Sequence, residues 1–359
     1  MRILSNGDIE KVLTAEESIS SLEVAYRELA LGQGANRPRN HTYFPVEDSR
    51  YPGFRYRFKS QEGGTVSSGV WALRITSDIA GVETLPSGGQ RRRLIPAAPG
   101  DRYVGLVTLY SLTTLEPLAV LHDSFIQKMR VGATSALGIR EQANNGVKLA
   151  GMFGSGWQAQ AHLECLLKVR PEIEEVRVYS PTVEHRVSFA KEWSERTGRR
   201  IVPVENPREA VKGCQIVTTA TATMEPCFDG SWLEPGTHVT SITSPDGTAT
   251  RRELDDTTFD RADRVVVLSR EQVHHDKQYD ILGPVERGLM AWEDIRELGE
   301  VLVGEAPSRA SSDEITVFAN NTGMGLQFAA VCARVLALAE ELDLGHVVPT
   351  EWFLEDTTP

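Results

Sequence analysis

Hydrophobic positions near the start of the chain predict a helix followed by a group of strands. Thr14 and Glu17 form a capping-box pattern ahead of apolar residues that recur at the spacing of one helix face. These residues are Ile19, Leu22, Tyr26 and Leu29. Four runs rich in aromatic or β-branched residues come next, namely Phe54 to Lys59, Val70 to Ser77, Tyr103 to Tyr110 and Pro117 to Leu121. The first block is therefore predicted to be an α+β domain.

The pattern changes in the middle of the chain, where short apolar runs alternate with longer helical ones. In the order strand, helix, strand, helix, the runs are Val147 to Phe153, Trp157 to Val169, Glu175 to Tyr179 and Val183 to Thr197. Further strands are predicted at Ile216 to Thr221, His238 to Thr243 and Val265 to Leu268. Repeated alternation of strand and helix predicts a parallel, doubly wound sheet and an α/β fold class.

Three other segments set the predicted domain organisation. Gln127 to Ala143 contains no proline and predicts a helix that leads into the second domain. Ala80 to Asp101, rich in Gly, Pro and Arg, is predicted to be an exposed connection. Leu326 to Leu342 predicts a long apolar helix that packs back on the first domain. We therefore assign 1–130 with 316–359 to one domain and 131–315 to the other.

The composition of the chain limits the classes of binding partner that can be expected. The chain has 359 residues, enough for two domains, and a formal net charge of -12. Negative charge gives no electrostatic reason to expect nucleic acid or an anionic membrane, so a small-molecule partner is predicted. The cysteines, Cys165, Cys214, Cys227 and Cys332, are far apart in sequence, which argues against disulfides and against a metal site. Without a signal-like start or an apolar span, the protein is predicted to be soluble and cytoplasmic.

A glycine motif carries the first functional prediction. The stretch Gly154, Ser155, Gly156, Trp157, Gln158, Ala159 fits the GxGxxG/A pattern. An apolar strand precedes it and a helix-forming run follows it, which is the context of a Rossmann dinucleotide site. Phosphate is expected at the helix N-terminus, and Thr221 is expected to add a contact from a later strand. The alternative is an ordinary glycine turn between a strand and a helix.

The residues after the second strand bear on the choice of cofactor. An NAD enzyme commonly has an acidic residue there, which binds the ribose 2′-hydroxyl. Here the residues are Ser180, Pro181 and Thr182. His185 and Arg186 lie just beyond, so a 2′-phosphate would meet no repulsion. We predict NADP, with NAD possible, and the alternative is that Arg186 is a solvated helix residue.

Over nearly the whole chain the sequence resembles the ornithine cyclodeaminase and mu-crystallin family. The matching stretches are Pro117 to Gly138, Gly151 to Leu163, Glu234 to Ile242 and Glu297 to Phe318. The resemblance implies a Rossmann domain that binds NAD(P) and an α+β domain that binds substrate and forms a homodimer. It also implies hydride transfer at a carbon that bears nitrogen next to a carboxylate.

The resemblance assigns two arginines to the substrate carboxylate. Arg130 matches the family's arginine at the start of the interdomain helix, and the planar fork of a guanidinium pairs with both oxygens of a carboxylate. Arg39 resembles a second such arginine. The alternative for Arg130 is a surface position on a helix.

The main departure from the family concerns its catalytic lysine. The strand Val70 to Ser77 offers only Arg74, which can orient and neutralise charge but can hardly exchange a proton. Lys59 is a hypothetical replacement, because alternation puts it with Arg55 and Arg57 on one basic face. That face could line a pocket for an anionic substrate or form the wet side of an edge strand.

Two further segments touch the predicted substrate side. Asp246 is the candidate for the family's aspartate that acts on the substrate amine, although Pro-Asp-Gly is also a turn sequence. The run Phe318 to Gly323, which includes Asn320, Asn321 and Thr322, stands where relatives commonly have a lysine and a serine before the glycine. We infer that cofactor use is retained while the substrate has changed.

Three functions follow from these observations. The first is an NAD(P)H-dependent dehydrogenase or imine reductase that acts on an amino or imino acid. The second is a cyclodeaminase that uses NAD catalytically and releases ammonia, which the missing lysine disfavours. The third is a nucleotide-binding protein with little catalysis, as mu-crystallin permits.

Overall fold

Two sheets organise the chain, and the chain divides into two compact units. The computed structural model describes residues 1–46, 48, 50–84, 90–245 and 251–357. Unit 1 comprises Met1–Glu83, Arg92–Arg130 and Gly323–Pro359, and unit 2 comprises Thr84–Arg91 and Val131–Thr322.

The first part of the chain contains seven strands and three helices. They are β1 (Arg2–Leu4), α1 (Asn6–Val12), α2 (Ala15–Ala30), β2 (Gly34–Pro45), β3 (Arg55–Thr65), β4 (Val70–Thr84), β5 (Gln90–Ile95), β6 (Val104–Ser111), β7 (Pro117–His122) and α3 (Ser124–Gln142).

The remainder continues the alternation of strands and helices. Its elements are β8 (Leu149–Phe153), α4 (Trp157–Val169), β9 (Glu175–Tyr179), α5 (Val183–Thr197), β10 (Arg200–Pro203), β11 (Ile216–Thr219), β12 (His238–Ser241), α6 (Asp256–Asp260), β13 (Arg264–Val267), α7 (Arg270–His275), α8 (Tyr279–Glu286), β14 (Arg296–Glu297), α9 (Leu298–Val303), β15 (Thr316–Ala319), α10 (Gly325–Glu341) and β16 (His346–Val347). Short 3₁₀ turns begin at residues 207, 230, 292 and 350.

The sheet of unit 1 has the order β16-β1-β7-β6-β4-β3-β2, and β5 pairs with β4. All strand pairs whose registers the structure describes are antiparallel except β1 with β7. One face of the sheet is covered, because α10 packs on β3 and on α2. Along β4 burial alternates, with Ala72, Arg74 and Thr76 on the covered face.

Unit 2 contains a fully parallel sheet in the order β10-β9-β8-β11-β12-β15-β13-β14. Its first five strands follow the Rossmann order 3-2-1-4-5, so the order in which the strands are added changes side between β8 and β11 while all of them stay parallel. A ligand is expected there, at the carboxyl ends of the strands. The predicted Rossmann domain with a second α+β domain is therefore confirmed.

Several strands were not predicted from the sequence. The connection predicted for Ala80 to Asp101 contains the end of β4 and the whole of β5, while 85–89 lie outside the described residues. β15 is only four residues long but pairs with β12 and β13, so 316–322 belong to unit 2 rather than to the first domain. The final helix, α10, belongs to unit 1 as predicted.

The predicted capping box at α2 is half formed. Thr14 caps the helix by accepting a hydrogen bond from the Glu17 backbone N–H (3.1 Å). The Glu17 carboxylate instead accepts from Arg334 of α10 (2.7 and 3.1 Å), which lowers the pKa of Glu17. Glu17, the second residue of the capping-box pattern, thus links α2 to α10 within unit 1.

Candidate functional site

Unit 2 has a cleft of about 590 Å³ at the reversal point of its sheet, within the size range of ligand sites. Its lining residues come from the ends of β8, β9 and β11, from the segments that follow these strands, from the start of β5 and from α5. They are Gln90, Arg91, Phe153, Gly154, Ser155, Gly156, Tyr179, Ser180, Pro181, His185, Ala220, Thr221, Ala222, Thr223, Pro226 and Cys227. The cleft lies where a doubly wound fold binds its ligand.

The glycine turn has the backbone that the motif requires. Gly154 has a φ of 109°, and a Cβ there would lie 2.4 Å from the carbonyl oxygen of Ala220. Its N–H donates to the Tyr179 carbonyl (2.9 Å). Gly156 is the N-cap of α4, and a Cβ there would face open space. The turn thus leaves room for a phosphate at the N-terminus of a 13-residue helix.

The other residues predicted for the cofactor occupy different places. Ser155, Ser180 and Thr221 line the cleft with the two glycines, whereas Trp157, Gln158, Ala159, Thr182 and Arg186 are not among its lining residues. Ala159 is fully buried among the apolar residues between α4 and the sheet, which is the packing role of the third motif position. The carbonyl of Gln158 lies 2.7 Å from Nδ1 of His162.

Arg186 is buried, so it is not a solvated helix residue. Its Nη1 donates to the carbonyl of Ser180 (2.8 Å), and its guanidinium lies 5.8 Å from the ring centroid of Tyr179. Arg186 therefore stabilises the end of β9. The cations that line the cleft are Arg91 and, when protonated, His185, and the described lining residues include no carboxylate.

A buried carboxylate beside the cleft was missed at the sequence level. Glu253 accepts hydrogen bonds from the backbone N–H groups of Thr221 (2.8 Å) and Ile242 (2.9 Å). It also accepts from the hydroxyls of Thr219 (3.0 Å), Thr221 (2.6 Å) and Thr243 (3.1 Å). Glu253 therefore ties together the chain that follows β11 and β12. The sequence shows only that Glu253 follows Arg251 and Arg252, and it does not indicate the hydrogen bonds that Glu253 accepts.

Unit 1 contains a group of cations on the covered face of its sheet. We call Arg39, Arg57, Lys59, Arg74 and Arg130 the cationic cluster. Its four arginines are buried and Lys59 is half-buried. β3 lies between β2 and β4, so the alternative of an exposed edge strand is wrong. The exposed side of β3 carries Phe58 instead.

Two arginines of the cationic cluster form buried ion pairs. Arg57 holds Asp78 through two hydrogen bonds (3.0 and 2.7 Å). Arg74 holds Asp123 (3.1 and 2.5 Å) and donates to the side-chain oxygen of Gln61 (2.6 Å). These contacts fix Arg74 in one orientation, consistent with a guanidinium that orients and neutralises charge.

Arg130 is buried in unit 1, which contradicts the alternative of a surface position on a helix. It donates to the side-chain oxygens of Gln127 (2.8 Å) and Gln327 (3.0 Å), and it lies 5.5 Å from the ring centroid of Phe328. Burial and the neighbouring Arg74 lower the pKa of Arg130 to about 9. A Cβ at Gly323 would lie 2.8 Å from its Nη2, so this glycine makes room for the guanidinium.

Lys59 faces Thr76 of β4 and His41 of β2 in the strand register. Burial, followed by the charges of Arg74 and Arg57, lowers the pKa of Lys59 well below its usual value. A lysine in that state can accept and return a proton, which Arg74 cannot. The hydroxyl oxygen of Thr76 and Oδ1 of Asp123 are buried without a hydrogen-bond partner among the described residues.

The remaining candidate residues are Asp246, Asn320 and Asn321. Asp246 lies outside the described residues. Asn321 is buried, accepts from the backbone N–H groups of Leu268 (2.9 Å) and Ser269 (3.2 Å), and thereby holds the end of β13. Asn320 donates to the carbonyl of Val131 (3.2 Å).

In the part of the chain that is described, no group of three or more metal-ligating side chains comes together, and no helix is long and apolar enough to cross a membrane.

Comparison with known proteins connects these features to a family. The model of the ornithine cyclodeaminase/mu-crystallin family matches residues 97–340, which is more than half of the chain. A Δ1-pyrroline-2-carboxylate reductase of Bacillus cereus is 34% identical over 243 residues, which cover 67% of this chain and 73% of that protein.

Solved structures match almost the whole chain. The Δ1-pyrroline-2-carboxylate reductase of Thermococcus litoralis, in complex with NADH and L-proline, is 29% identical with a TM-score of 0.81, over 97% of this chain and 100% of that one. An archaeal alanine dehydrogenase dimer with bound NAD is 25% identical with a TM-score of 0.79, over 97% of this chain and 99% of that one. Both are similar to this chain across its two units.

Proposed function

We propose a reaction for this chain, which belongs to the ornithine cyclodeaminase/mu-crystallin family. It is an NAD(P)H-dependent oxidoreductase that acts on the carbon–nitrogen bond of an amino or imino acid. The Gly154 turn at the reversal point of a parallel sheet is the observation that supports this most directly. Similarity to reductases and dehydrogenases of this type supports the choice of reaction.

Different residues of the chain have different roles in the proposed reaction. A bound, reduced nicotinamide supplies hydride to the carbon of the C=N bond. Arg130 holds the substrate carboxylate, with Arg39 as a second guanidinium, because both are buried cations of unit 1. Lys59 gives a proton to the imine nitrogen, so that hydride and proton together form the amine. Arg74 orients these groups, and Asp246 remains the predicted contact for the amine.

The cofactor is proposed to be NADP. The cleft presents Ser180 and Pro181 at the end of β9 and has no carboxylate among its described lining residues. Arg91 and His185 also line it, and either can meet a 2′-phosphate without repulsion. This differs from the sequence-based expectation for Arg186, whose Nη1 is bound to the Ser180 carbonyl.

The functional protein is proposed to be a homodimer that forms through the uncovered face of the unit 1 sheet. This face exposes Phe44 (56%), Phe58 (37%), Leu106 (37%) and Tyr110 (38%). Leu106→Asp should give monomers in size-exclusion chromatography with light scattering. Val183→Asp, at an exposed position of α5, is the matched control and should leave a dimer. A dimeric Leu106→Asp variant would contradict this choice of surface.

Binding and turnover together test the proposed reaction. NADPH and NADH are titrated by fluorescence, and NADPH oxidation is then followed with cyclic imino acids and with mixtures of a keto acid and an amine. We expect tighter binding of NADPH and net oxidation with at least one imino acid. Ammonia release without net cofactor change would instead indicate a cyclodeaminase. Binding without any turnover would indicate a nucleotide-binding protein.

A further inference from the structure

We infer that the substrate nitrogen is bound in unit 1 by the hydroxyl of Thr76 and by Oδ1 of Asp123, beside Lys59. These two oxygens accept hydrogen bonds from the nitrogen while Lys59 exchanges a proton with it. The inference rests on the proposed function and deepens it, because it names further residues that contact the reacting bond. It adds to Asp246, which the family resemblance alone assigned to the amine.

Thr76 and Lys59 are direct neighbours across two strands of the unit 1 sheet. Lys59 of β3 is paired in the register with Thr76 of β4, and Thr76 is paired in turn with Gly105 of β6. Residues that face each other in antiparallel strands point to the same face, with Cβ atoms about 4.5–5.5 Å apart. The three positions therefore form a row on the covered face, which also carries Arg74.

The carboxylate of Asp123 occupies the end of this row. Gly105 has no side chain, and a Cβ there would lie 2.7 Å from Oδ2 of Asp123 and 2.9 Å from its Cβ. The backbone N–H of Asp123 donates to the Gly105 carbonyl (3.1 Å), which holds the residue against β6. Asp123 thus stands where a side chain of residue 105 would stand, next to Thr76.

Two oxygens of the row are buried and retain the capacity to accept a hydrogen bond. Thr76 is 8% exposed and Asp123 is 5% exposed. Within the described part of the chain, the Thr76 hydroxyl and Oδ1 of Asp123 have no hydrogen-bond partner, whereas Oδ2 of Asp123 accepts twice from Arg74. A buried polar atom without a partner is costly, so such atoms are normally paired with protein, water or ligand. Arg74 thus orients Asp123 with Oδ1 left for a donor on the ligand.

The chemistry of the two oxygens favours a ligand group that donates hydrogen bonds. An ionised carboxylate only accepts, and a hydroxyl can accept as well as donate. An amine, an ammonium or an iminium offers N–H groups, whereas the substrate carboxylate offers none and would be repelled by Asp123. The negative charge of Asp123 also stabilises the positive charge that an iminium nitrogen carries.

Lys59 lies on the other side of Thr76 from Asp123. In the reductive direction its ammonium gives a proton to the imine nitrogen, and the adjacent carbon receives a hydride from the reduced cofactor. The C=N bond becomes a C–N single bond with one new N–H and one new C–H, and Lys59 is left neutral. Burial and the charges of Arg74 and Arg57 lower the pKa of Lys59, which makes this proton easier to give.

Ligand binding tests the inference without any turnover. The NADP-loaded enzyme is titrated calorimetrically with pairs of an amino acid and its counterpart without nitrogen. The pairs are L-proline with cyclopentanecarboxylate, L-alanine with propionate and L-glutamate with glutarate. We expect at least one amino acid to bind roughly tenfold or more tightly than its counterpart, because hydrogen bonds from a charged group are added. No such preference in any of the pairs would overturn the inference.

Variants of Thr76 identify the contact. Thr76→Val removes the hydroxyl at nearly constant volume, so it should lower the preference for the amino acid roughly tenfold and leave the affinity of the counterpart within about threefold. Thr76→Ser keeps the hydroxyl and should retain most of the preference. Thr42→Val, at an exposed position of β2, is the matched control and should change neither affinity. If Thr76→Val weakens both ligands by the same factor, the hydroxyl does not meet the nitrogen and the inference is wrong.

Asp123→Asn tests the second oxygen. The remaining oxygen still accepts from Arg74, so the amide turns its NH₂ to the position of Oδ1 and meets the substrate nitrogen as a donor. The preference for the amino acid should therefore fall further than in Thr76→Val. Circular dichroism establishes that the variant is folded, since it removes the counterion of Arg74, and Thr76→Val decides the matter if it is not. Full preference in folded Asp123→Asn would contradict the role of Oδ1.

Turnover separates failure of the inference from failure of the proposed function. With an imino acid that oxidises NADPH, Thr76→Val should lower kcat/KM roughly tenfold, and Thr42→Val should leave it unchanged. An unchanged kcat/KM in Thr76→Val would overturn the inference while the proposed reaction stands. If Thr76→Val removes the preference for the amino acid but no imino acid oxidises NADPH in the wild type, the proposed reaction fails and the nitrogen site stands.

Discussion

Arg74 and Asp123 form a buried ion pair in which two guanidinium donors meet one carboxylate oxygen, with Nε–Oδ2 at 3.1 Å and Nη2–Oδ2 at 2.5 Å. Gly105 lies against the same oxygen, since a Cβ there would be 2.7 Å from it. Arg74 is thus committed to Asp123 and to Gln61. We therefore assign the proton to Lys59 and an orienting role to Arg74.

Asp123→Asn is predicted to destabilise the protein by about 3–5 kcal/mol, because it leaves the buried Arg74 without its counterion. The measurement is the free energy of unfolding in urea. Asp343→Asn is the matched control, because Asp343 pairs with Arg2 (3.4 Å) but its side chain is 94% exposed. Its effect is expected within about 0.5 kcal/mol, and equal effects of the two variants would contradict this role of the ion pair.

Lys59→Met is predicted to stabilise the protein at pH 7. The folded state disfavours the charged lysine, so the unfolded state binds more protons between the lowered pKa of Lys59 and the ordinary lysine value of 10.5. Wild-type stability therefore rises with pH across that window. The advantage of the variant should be largest near neutral pH and should shrink toward pH 10.

Unfolding curves at pH 7 and pH 10 check this prediction. Phe58→Met on the same strand carries no titrating group, so its difference from the wild type should be the same at both values. A Lys59→Met difference that also stays constant would rule out the lowered pKa. The same variant should lose turnover while it retains NADPH binding, because the cleft belongs to unit 2.

Ser180→Asp is predicted to reverse the preference for NADPH. A carboxylate at the end of β9 would accept from the ribose 2′-hydroxyl of NADH and would repel a 2′-phosphate. We expect the ratio of the two dissociation constants to change roughly tenfold or more. Ser180→Asn has nearly the same shape without the charge and is the control. An unchanged ratio in Ser180→Asp would show that the 2′-phosphate does not lie there.

Glu253→Gln is predicted to loosen the dinucleotide cleft. Thr221 N–H donates to one carboxylate oxygen and Ile242 N–H to the other, so the amide keeps one acceptor and points its NH₂ at the other donor. Each buried donor left without an acceptor costs about 1–3 kcal/mol. Unfolding free energy and NADPH affinity should both fall. Glu184→Gln, at an exposed position of α5, should change neither, and wild-type behaviour of Glu253→Gln would refute the role of Glu253.

The fold and the glycine turn of unit 2 were more predictable from the sequence than the cationic cluster of unit 1. Local patterns determine a strand, a glycine turn and a helix, so the sequence alone was enough to place Gly154 and Gly156. β2 and β5 were missed because proline, asparagine and repeated arginines obscure strand alternation. β15 was missed because a buried run of four residues has no distinguishing period.

The surroundings of the cationic cluster could be predicted only in part from the sequence. The alternation of side chains placed Arg57 and Lys59 on one face of β3. It does not distinguish a solvent-exposed face from a face that is covered by a helix. That choice depends on α10, which covers the face from far along the chain. Asp123 and Glu253 gave no local signal for the same reason. Their partners are distant in sequence and meet only in the folded units.

Transfer of deuterium from the cofactor shows whether this chain catalyses hydride transfer to an imino acid. The enzyme is incubated with NADPH deuterated at C4 of the nicotinamide, on the transferred face, and with the imino acid that gives turnover. We predict that the product amino acid gains one deuterium at its α-carbon, detected by mass spectrometry and NMR, in proportion to the NADPH oxidised. Product formed with no α-deuterium from either C4 face, or ammonia released while the label stays on the cofactor, would contradict it.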